Sequence, residues 1–191
     1  MLGLMSGAST PAPGRLEAVR RFVNTLDIDA GTDALATPGD LTGWLRSASL
    51  LAGDTDAEPG DLANAVAVRE ALREALAANH GGEPIPSGAL AVLNDAAARA
   101  RLAATLTASD GWRARPAAGG VDGAIGALLA LVGDAMADGT WSRLKVCVND
   151  TCRWAFYDES RARTGKWCSM QVCGNRAKQR AWRGRRAEST T

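Results

Sequence analysis

Apolar residues recur at helical spacing through most of the first 140 positions. Between Arg15 and Leu26, Leu16, Val19, Phe22, Val23 and Leu26 share one face, which predicts an amphipathic helix. Leu41, Trp44, Leu45, Ala48 and Leu51 repeat the pattern. That second helix has a legible start at Thr37-Pro38-Gly39-Asp40. A threonine hydroxyl accepts from early backbone N–H groups, proline suits the first helical position, and an aspartate favours the first turn. The helix should stop near Gly53. Leu62, Val66, Arg69, Leu72 and Leu76 describe a third helix, with Asp61 as its expected cap and Asn79-His80-Gly81-Gly82 as its end. A shorter helix is expected from a Ser87 cap to about Ala100. Gly120 to Asp138 reads as an apolar helix carrying Ile125, Leu128, Leu129 and Val132, closed by Gly139.

Two stretches break the helical period. "DIDAGTDALA" carries turn residues at Asp29-Ala30-Gly31 and predicts a small hairpin. "RLAATLTA" and "GWRARP" predict a second hairpin, joined by Ser109-Asp110-Gly111.

Composition narrows the class. With 191 residues, 46% of them hydrophobic, the chain can bury a core. No apolar run is read as reaching the roughly 18 to 20 residues that span a bilayer. The opening "MLGLMSGASTPAPGR" lacks the basic and long apolar regions of an export signal. Both points lead to an expectation of a cytoplasmic protein without a membrane partner. The single histidine, His80, lies beside two glycines at a helix end, where a cap or surface role is expected. No Ser/His/Asp set, phosphate-binding loop or dinucleotide fingerprint is present in the sequence, so no enzymatic activity is expected.

Charge changes the picture more. The formal net charge is +1, but it is divided unevenly. Residues 143–191 hold 12 Lys+Arg against 4 Asp+Glu, and residues 1–142 hold 10 against 17. A basic segment on an otherwise acidic chain points to contact with nucleic acid, with a solvated tail or mutual attraction of the halves as the plainer readings.

All four cysteines lie in the basic segment, as Cys147-x4-Cys152-x15-Cys168-x4-Cys173. Two close pairs across a spacer is a zinc-ligand arrangement: each pair closes a knuckle on one side of the ion, and the spacer folds back to complete a tetrahedron. Two disulfides, a redox pair and an iron–sulfur cluster are the competing readings. Disulfides are disfavoured without an export signal, and a redox pair would normally be Cys-x2-Cys. The expected cofactor is one structural Zn²⁺ per chain. "RWAFYDES" alternates as a strand, "SRARTG" turns the chain back, and Trp154, Phe156 and Trp167 supply a small apolar core.

Four thiolates around Zn²⁺ leave a charge of −2, which nearby cations stabilise. The segment carries more cations than that requires. If Cys173 opens a helix, then Cys173, Ala177, Ala181 and Gly184 form a stripe of small residues that can pack on the finger. Arg176, Arg180 and Arg183 line one flank, Lys178 and Arg185 the other, and Arg186 follows. With Arg161, Arg163 and Lys166 from the spacer, these are the candidate nucleic-acid contacts. Arg176 has an equal claim to a structural role beside the zinc thiolates. DNA and RNA are not separated by this argument.

Cys173-Gly174-Asn175-Arg176 is also the signature of the CGNR zinc finger, which residues 143–186 resemble through Phe156, Asp158, Ser160-Arg161 and Trp167-Cys168-Ser169-Met170. Upstream, "RRFVNTLD" and "DALATPGDLTGWL" resemble the ABATE domain that precedes this finger. The resemblance implies a bacterial, stress-responsive transcription regulator whose finger binds DNA and whose upstream domain senses a signal. Within those motifs Asn24, Asp27, Trp44 and Arg46 either line a pocket or cap and pack helices.

The expected fold class is α+β: a mainly helical N-terminal domain with short β-hairpins, then a small zinc finger made of a β-hairpin and a basic helix. The expected divisions are a tail over 1–12, a sensing or assembly domain over 13–140, the finger over 141–186 and a tail over 187–191. The expected function is a zinc-containing, DNA-binding transcription regulator with an unidentified small-molecule effector, a homodimer being one assembly open to it. The alternative is a zinc-stapled module that binds protein or RNA without operator recognition.

Overall fold

Helix α1 (Leu16–Val23), α3 (Pro59–Ala78) and α5 (Gly120–Asp138) build the core in the computed structural model, which describes residues 10–108 and 111–188. Between and around them run β1 (Leu26–Asp27), β2 (Thr32–Asp33), α2 (Pro38–Ser47), α4 (Ser87–Arg99), β3 (Leu102–Thr107) and β4 (Gly111–Pro116). The chain then adds β5 (Leu144–Val146), β6 (Ala155–Tyr157) and α6 (Asn175–Glu188). Among the described residues the strands pair as three antiparallel hairpins, β1–β2, β3–β4 and β5–β6. The fold is therefore α+β with short hairpins, as the pattern predicts.

The periodic residues do the packing. Val19, Phe22 and Val23 of α1, Leu41 and Leu45 of α2, Val68, Leu72 and Leu76 of α3 and Leu128 of α5 are fully buried together. Phe22 meets Trp44 with ring centroids 5.2 Å apart. Trp44 thus packs on the core. The start of α2 forms as expected: Asp40 donates its backbone N–H to Thr37 Oγ1 at 3.2 Å, and Asp40 Oδ2 accepts from the Thr37 N–H at 2.8 Å. Gly139 closes α5 with φ +79°, a left-handed conformation that glycine adopts without a Cβ clash.

Several boundaries differ from the pattern. Helix α1 stops at Val23, short of Leu26: the Thr25 N–H closes a tighter turn onto the Phe22 carbonyl, and the Thr25 carbonyl accepts from Ala34 as the chain enters the first hairpin. Helix α2 ends at Ser47 instead of near Gly53, through Ser49 at φ +57°. Helix α3 begins two residues before Asp61: Pro59 takes the first position, Glu58 caps, and Asp61 accepts the Glu58 N–H at 2.8 Å from inside the first turn. Ser87 is the first residue of α4 and Pro86 precedes it, so Ser87 does not cap. Helix α5 proves long and apolar enough, by length and composition, to cross a bilayer; 61% of that stretch is packed inside the protein.

Ser109-Asp110 of the second hairpin loop lie outside the described residues, as do residues 1–9 and 189–191 of the expected tails. Of the first tail, Ala12 is buried and donates its N–H to Glu17 at 2.8 Å.

The core does not stop at Gly139. Trp141, Leu144, Val146 and Ala155 belong to the same buried cluster as the helices. Hairpin β5–β6 lies against α3 and α1. Polar side chains of the helical part stitch this seam. Asn24 pairs with the edge of β6, donating to the Ala155 carbonyl at 2.9 Å and accepting its N–H at 2.7 Å. Asn79 donates to the carbonyls of Trp141 and Leu144 at 2.9 and 2.8 Å. Two arginines buried on α3 hold other segments to that helix, and the second of them reaches the seam. Arg69 meets Asp33 of β2 at 2.7 Å, holding the first hairpin on α3. Arg73 donates to the carbonyls of Val23 and Arg153, at 2.7 and 3.0 Å. A buried charge must be paired to be tolerated, and both are.

Candidate metal centre and basic helix

The first knuckle follows directly from β5. The Asn149 carbonyl accepts the N–H groups of Cys152 and Arg153, at 2.8 and 3.0 Å, which folds Cys147 and Cys152 toward one another. Arg153 then takes φ +48°, and Arg73 grips its carbonyl from α3. Strand β6 runs back along β5, with Val146 opposite Ala155. The chain returns through residues 158–167, where Val148 donates its N–H to the Lys166 carbonyl at 3.0 Å. The second knuckle is a wide π turn, Met170–Gly174, and Ser169 Oγ accepts the Val172 N–H at its start.

This brings four sulfurs within 4.8 Å of one another. Cys168 Sγ lies 3.6 Å from Cys152 Sγ and 3.8 Å from Cys173 Sγ. A disulfide needs about 2.0 Å, so neither pair is one, and all four cysteines are free. A tetrahedron with Zn–S bonds of about 2.3 Å has edges of about 3.8 Å, the separation seen here. Cys147, Cys152 and Cys173 are buried and Cys168 is half-buried.

The donor set also fits a cation electrically. The thiols of Cys152 and Cys168 donate to Cys147, which pulls its pKa down, assisted by the backbone N–H groups of Cys168 and Asn149. Interaction with Cys147 in turn pushes Cys152 and Cys168 up. Four thiolates coexist in this space only with a cation between them. The four cysteines form a zinc-binding site, and Zn²⁺ there supplies folding energy and closes the knuckles.

The surroundings are those of a structural centre. Trp154, Trp167 and Val172 cover the cluster. Phe156, expected in the same small core, is buried at 6.4 Å from the His80 ring instead. Asn149 is buried and aims its amide at Cys173 Sγ, at 3.8 Å. Its side-chain oxygen accepts from Arg180 of α6 at 3.2 Å. Sequence reasoning passed over Asn149, although it lies between the first two cysteines.

Each letter of Cys173-Gly174-Asn175-Arg176 has a separate task. Cys173 offers its sulfur. A Cβ on Gly174 would come within 2.8 Å of the Met170 sulfur and 3.4 Å of the Trp167 ring, so glycine permits close packing. Asn175 donates to the Gln171 carbonyl at 3.0 Å and fastens the turn to α6. Arg176 forms an ion pair with Asp29, in the β1–β2 turn, at 2.9 Å. It turns to the helical part of the chain and donates to no zinc ligand. Its pKa rises, first through the hydrogen bond to Asp29.

A family model for ABATE, described as a putative stress-induced transcription regulator, matches residues 16–139.

The chain belongs to the ABATE family.

A model for the CGNR zinc finger matches residues 143–186, directly after it. No curated protein matches the chain. In this ABATE protein the sequence-marked basic residues fall into separate places. Lys178, Arg180 and Arg183 are exposed on α6. Arg186 lies over the Trp182 ring, 5.0 Å from its centre; Arg185 is helical, and its side chain lies outside what the structure describes. Arg161, Arg163 and Lys166 are exposed on the loop before Cys168, away from α6 in sequence. The expected small-residue stripe packs only at its beginning: Ala177 is half-buried, and Ala181 is exposed because α6 has already left the body of the protein.

Of the four N-terminal motif residues, Asn24 pairs with β6, Asp27 accepts the Ala30 N–H at 3.0 Å, and Arg46 donates to the Gly53 and Thr55 carbonyls. With half-buried Trp44 packed on Phe22, all four have structural partners. His80 is more than a cap. Its Nε2 donates to the Val146 carbonyl at 2.5 Å, joining the end of α3 to β5. No local signal in the sequence marks that contact, which spans 66 residues.

Proposed function

We propose that this ABATE protein is a zinc-dependent, DNA-binding transcription regulator in which α6 meets the duplex. The observation that carries the reading is the exposure of α6. The helix is rooted on the metal centre by Cys173, Asn175 and the Arg180–Asn149 bond, yet Lys178, Arg180, Ala181, Trp182 and Arg183 are all exposed. A helix with this much positive charge and no apolar face in the core is built for a partner of negative charge. An α-helix fits the major groove, and guanidinium groups suit phosphate and guanine alike. Lys178, Arg180, Arg183, Arg185 and Arg186 are the proposed contacts, with Arg161 on the loop before Cys168. Zinc acts only by folding the support. The N-terminal domain holds that support through Asn24, Arg73, Asn79 and His80, which supports a role in transmitting a signal to the finger.

Fluorescence anisotropy of the zinc-loaded protein on duplex DNA tests this. Counterion release makes affinity fall steeply with salt; with about six phosphate contacts the loss from 50 to 200 mM is roughly 10³-fold. Replacing Lys178, Arg180 and Arg183 together should flatten that slope by nearly three contacts. Binding that ignores both salt and the triple replacement would remove DNA from the account, and tighter binding of single-stranded RNA would favour the RNA-interaction alternative.

A further inference from the structure

A cleft of about 580 Å³ lies where the end of α3 meets the finger. It is lined by His80 and Gly81 just beyond α3 and, from the finger, by Lys145, Val148 and residues 163–167, Arg163, Lys166 and Trp167 among them. The volume is that of an ordinary small-molecule site. The walls are mainly apolar, with Trp167 offering an indole and His80 an imidazole held in place by its bond to Val146. Among the described residues no carboxylate lines the cleft. The charge of Lys145, at its base, is already matched by Asp158 at 2.9 Å. Arg163 and Lys166 are exposed at its edge, and among the described residues neither has a carboxylate partner, so the charge offered there is positive.

We infer that this cleft binds a planar aromatic anion of the aryl carboxylate class, with its ring between Trp167 and His80 and its carboxylate on Arg163 and Lys166. The inference rests on the regulator reading only for its consequence. Trp167 precedes the zinc ligand Cys168 and lies beneath Gly174 at the root of α6, while His80 belongs to the helical domain. A ligand held between them bears on both the domain seam and the angle of the basic helix. Apolar walls set a bare phosphate aside, because it would leave most of the cleft unfilled. With no carboxylate among the described lining residues, cationic ligands are set aside.

The test is calorimetric titration of the full-length, zinc-loaded protein with 2-naphthoate, alongside 2-naphthamide, which keeps the ring without the charge, and acetate, which keeps the charge without the ring. Naphthoate should bind once per chain, and both controls should bind about tenfold or more weakly, as expected for loss of a hydrogen bond to a charged group or of the ring's burial. The variant to compare is Arg163→Asn with Lys166→Ala; asparagine tolerates the left-handed φ of +54° at position 163. It should weaken naphthoate about tenfold or more while zinc content and thermal midpoint stay unchanged. No naphthoate binding at millimolar concentration, equal binding of the amide, or indifference to the double variant would each overturn the inference. So would displacement of naphthoate by duplex DNA that persists when Lys178, Arg180 and Arg183 are all replaced, since the cleft itself would then belong to the nucleic-acid interface. Loss of DNA binding alone, with naphthoate still bound, would defeat the proposed function and leave this site standing.

Discussion

Arg176 and Asp29 stand 147 positions apart in the chain and meet at 2.9 Å, joining the root of the basic helix to the first hairpin. Both partners are partly exposed and water screens the pair, so it should contribute little to stability. Arg176→Ala should therefore retain zinc and shift the thermal midpoint only slightly. Asp29→Asn should raise affinity for duplex DNA, because it removes a carboxylate beside the helix and frees Arg176 for phosphate. Zinc content and anisotropy of the two variants decide the matter; metal loss in Arg176→Ala would return Arg176 to the zinc site.

Cys168→Ser removes one ligand of a closed tetrahedral centre. Zinc content should fall to near zero, and hydrogen exchange should lose protection over the two knuckles and α6. Protection over α3, α5 and β5 should persist. Leu144 and Val146 are buried among core helices rather than against the metal, and their partners need no zinc. Collapse of protection in α3 on metal loss would show that zinc holds the whole fold.

What the sequence made legible was local. Periodicity gave the buried faces of the helices, Thr37 and Gly139 marked real ends, and cysteine spacing gave the metal centre. These features depend on residues within a turn or a knuckle of one another. The seam was illegible because its makers act at a distance: Asn24 reaches Ala155, Arg73 reaches Arg153 and His80 reaches Val146. Nothing in a 3.6-residue period shows which polar residue will find a backbone group 80 or 131 positions away. Arg69 gave a hint, being a charge on an apolar face. The stripe Ala177–Ala181 failed for a related reason, since small residues permit packing without supplying a surface to pack on.

Asn149 connects the metal to the helix, with its amide toward Cys173 and its oxygen toward Arg180. Groups that orient metal ligands typically contribute 10- to 100-fold in affinity. Asn149→Ala should accordingly weaken zinc by about that factor in competition with a chromophoric chelator. Arg180→Ala should weaken zinc much less, because it touches the centre only through Asn149; under the proposed function it should also lower DNA affinity, since its guanidinium is exposed on α6. Equal zinc retention by Asn149→Ala and the wild type would reduce Asn149 to a turn residue.

Lys145 and Asp158 form a buried ion pair at 2.9 Å across the β5–β6 hairpin. Burial alone would raise the pKa of Asp158, but the Ser160 hydroxyl, Lys145 and the Gly165 N–H outweigh it and hold the carboxyl at about 2. The unfolded chain has an ordinary aspartate near 3.8. The folded state therefore binds fewer protons between these values, and its extra stability, about 2 kcal/mol, is present above pH 4 and disappears as pH falls toward 2. Acid also protonates the thiolates, so the measurement is the difference in unfolding free energy between the wild type and Lys145→Met/Asp158→Leu across that window. Asp158→Ala alone should cost more, about 3–5 kcal/mol, because it strands a buried ammonium. The double replacement should recover most of that loss. A single variant no worse than the double would mean that Lys145 reaches solvent once Asp158 is gone.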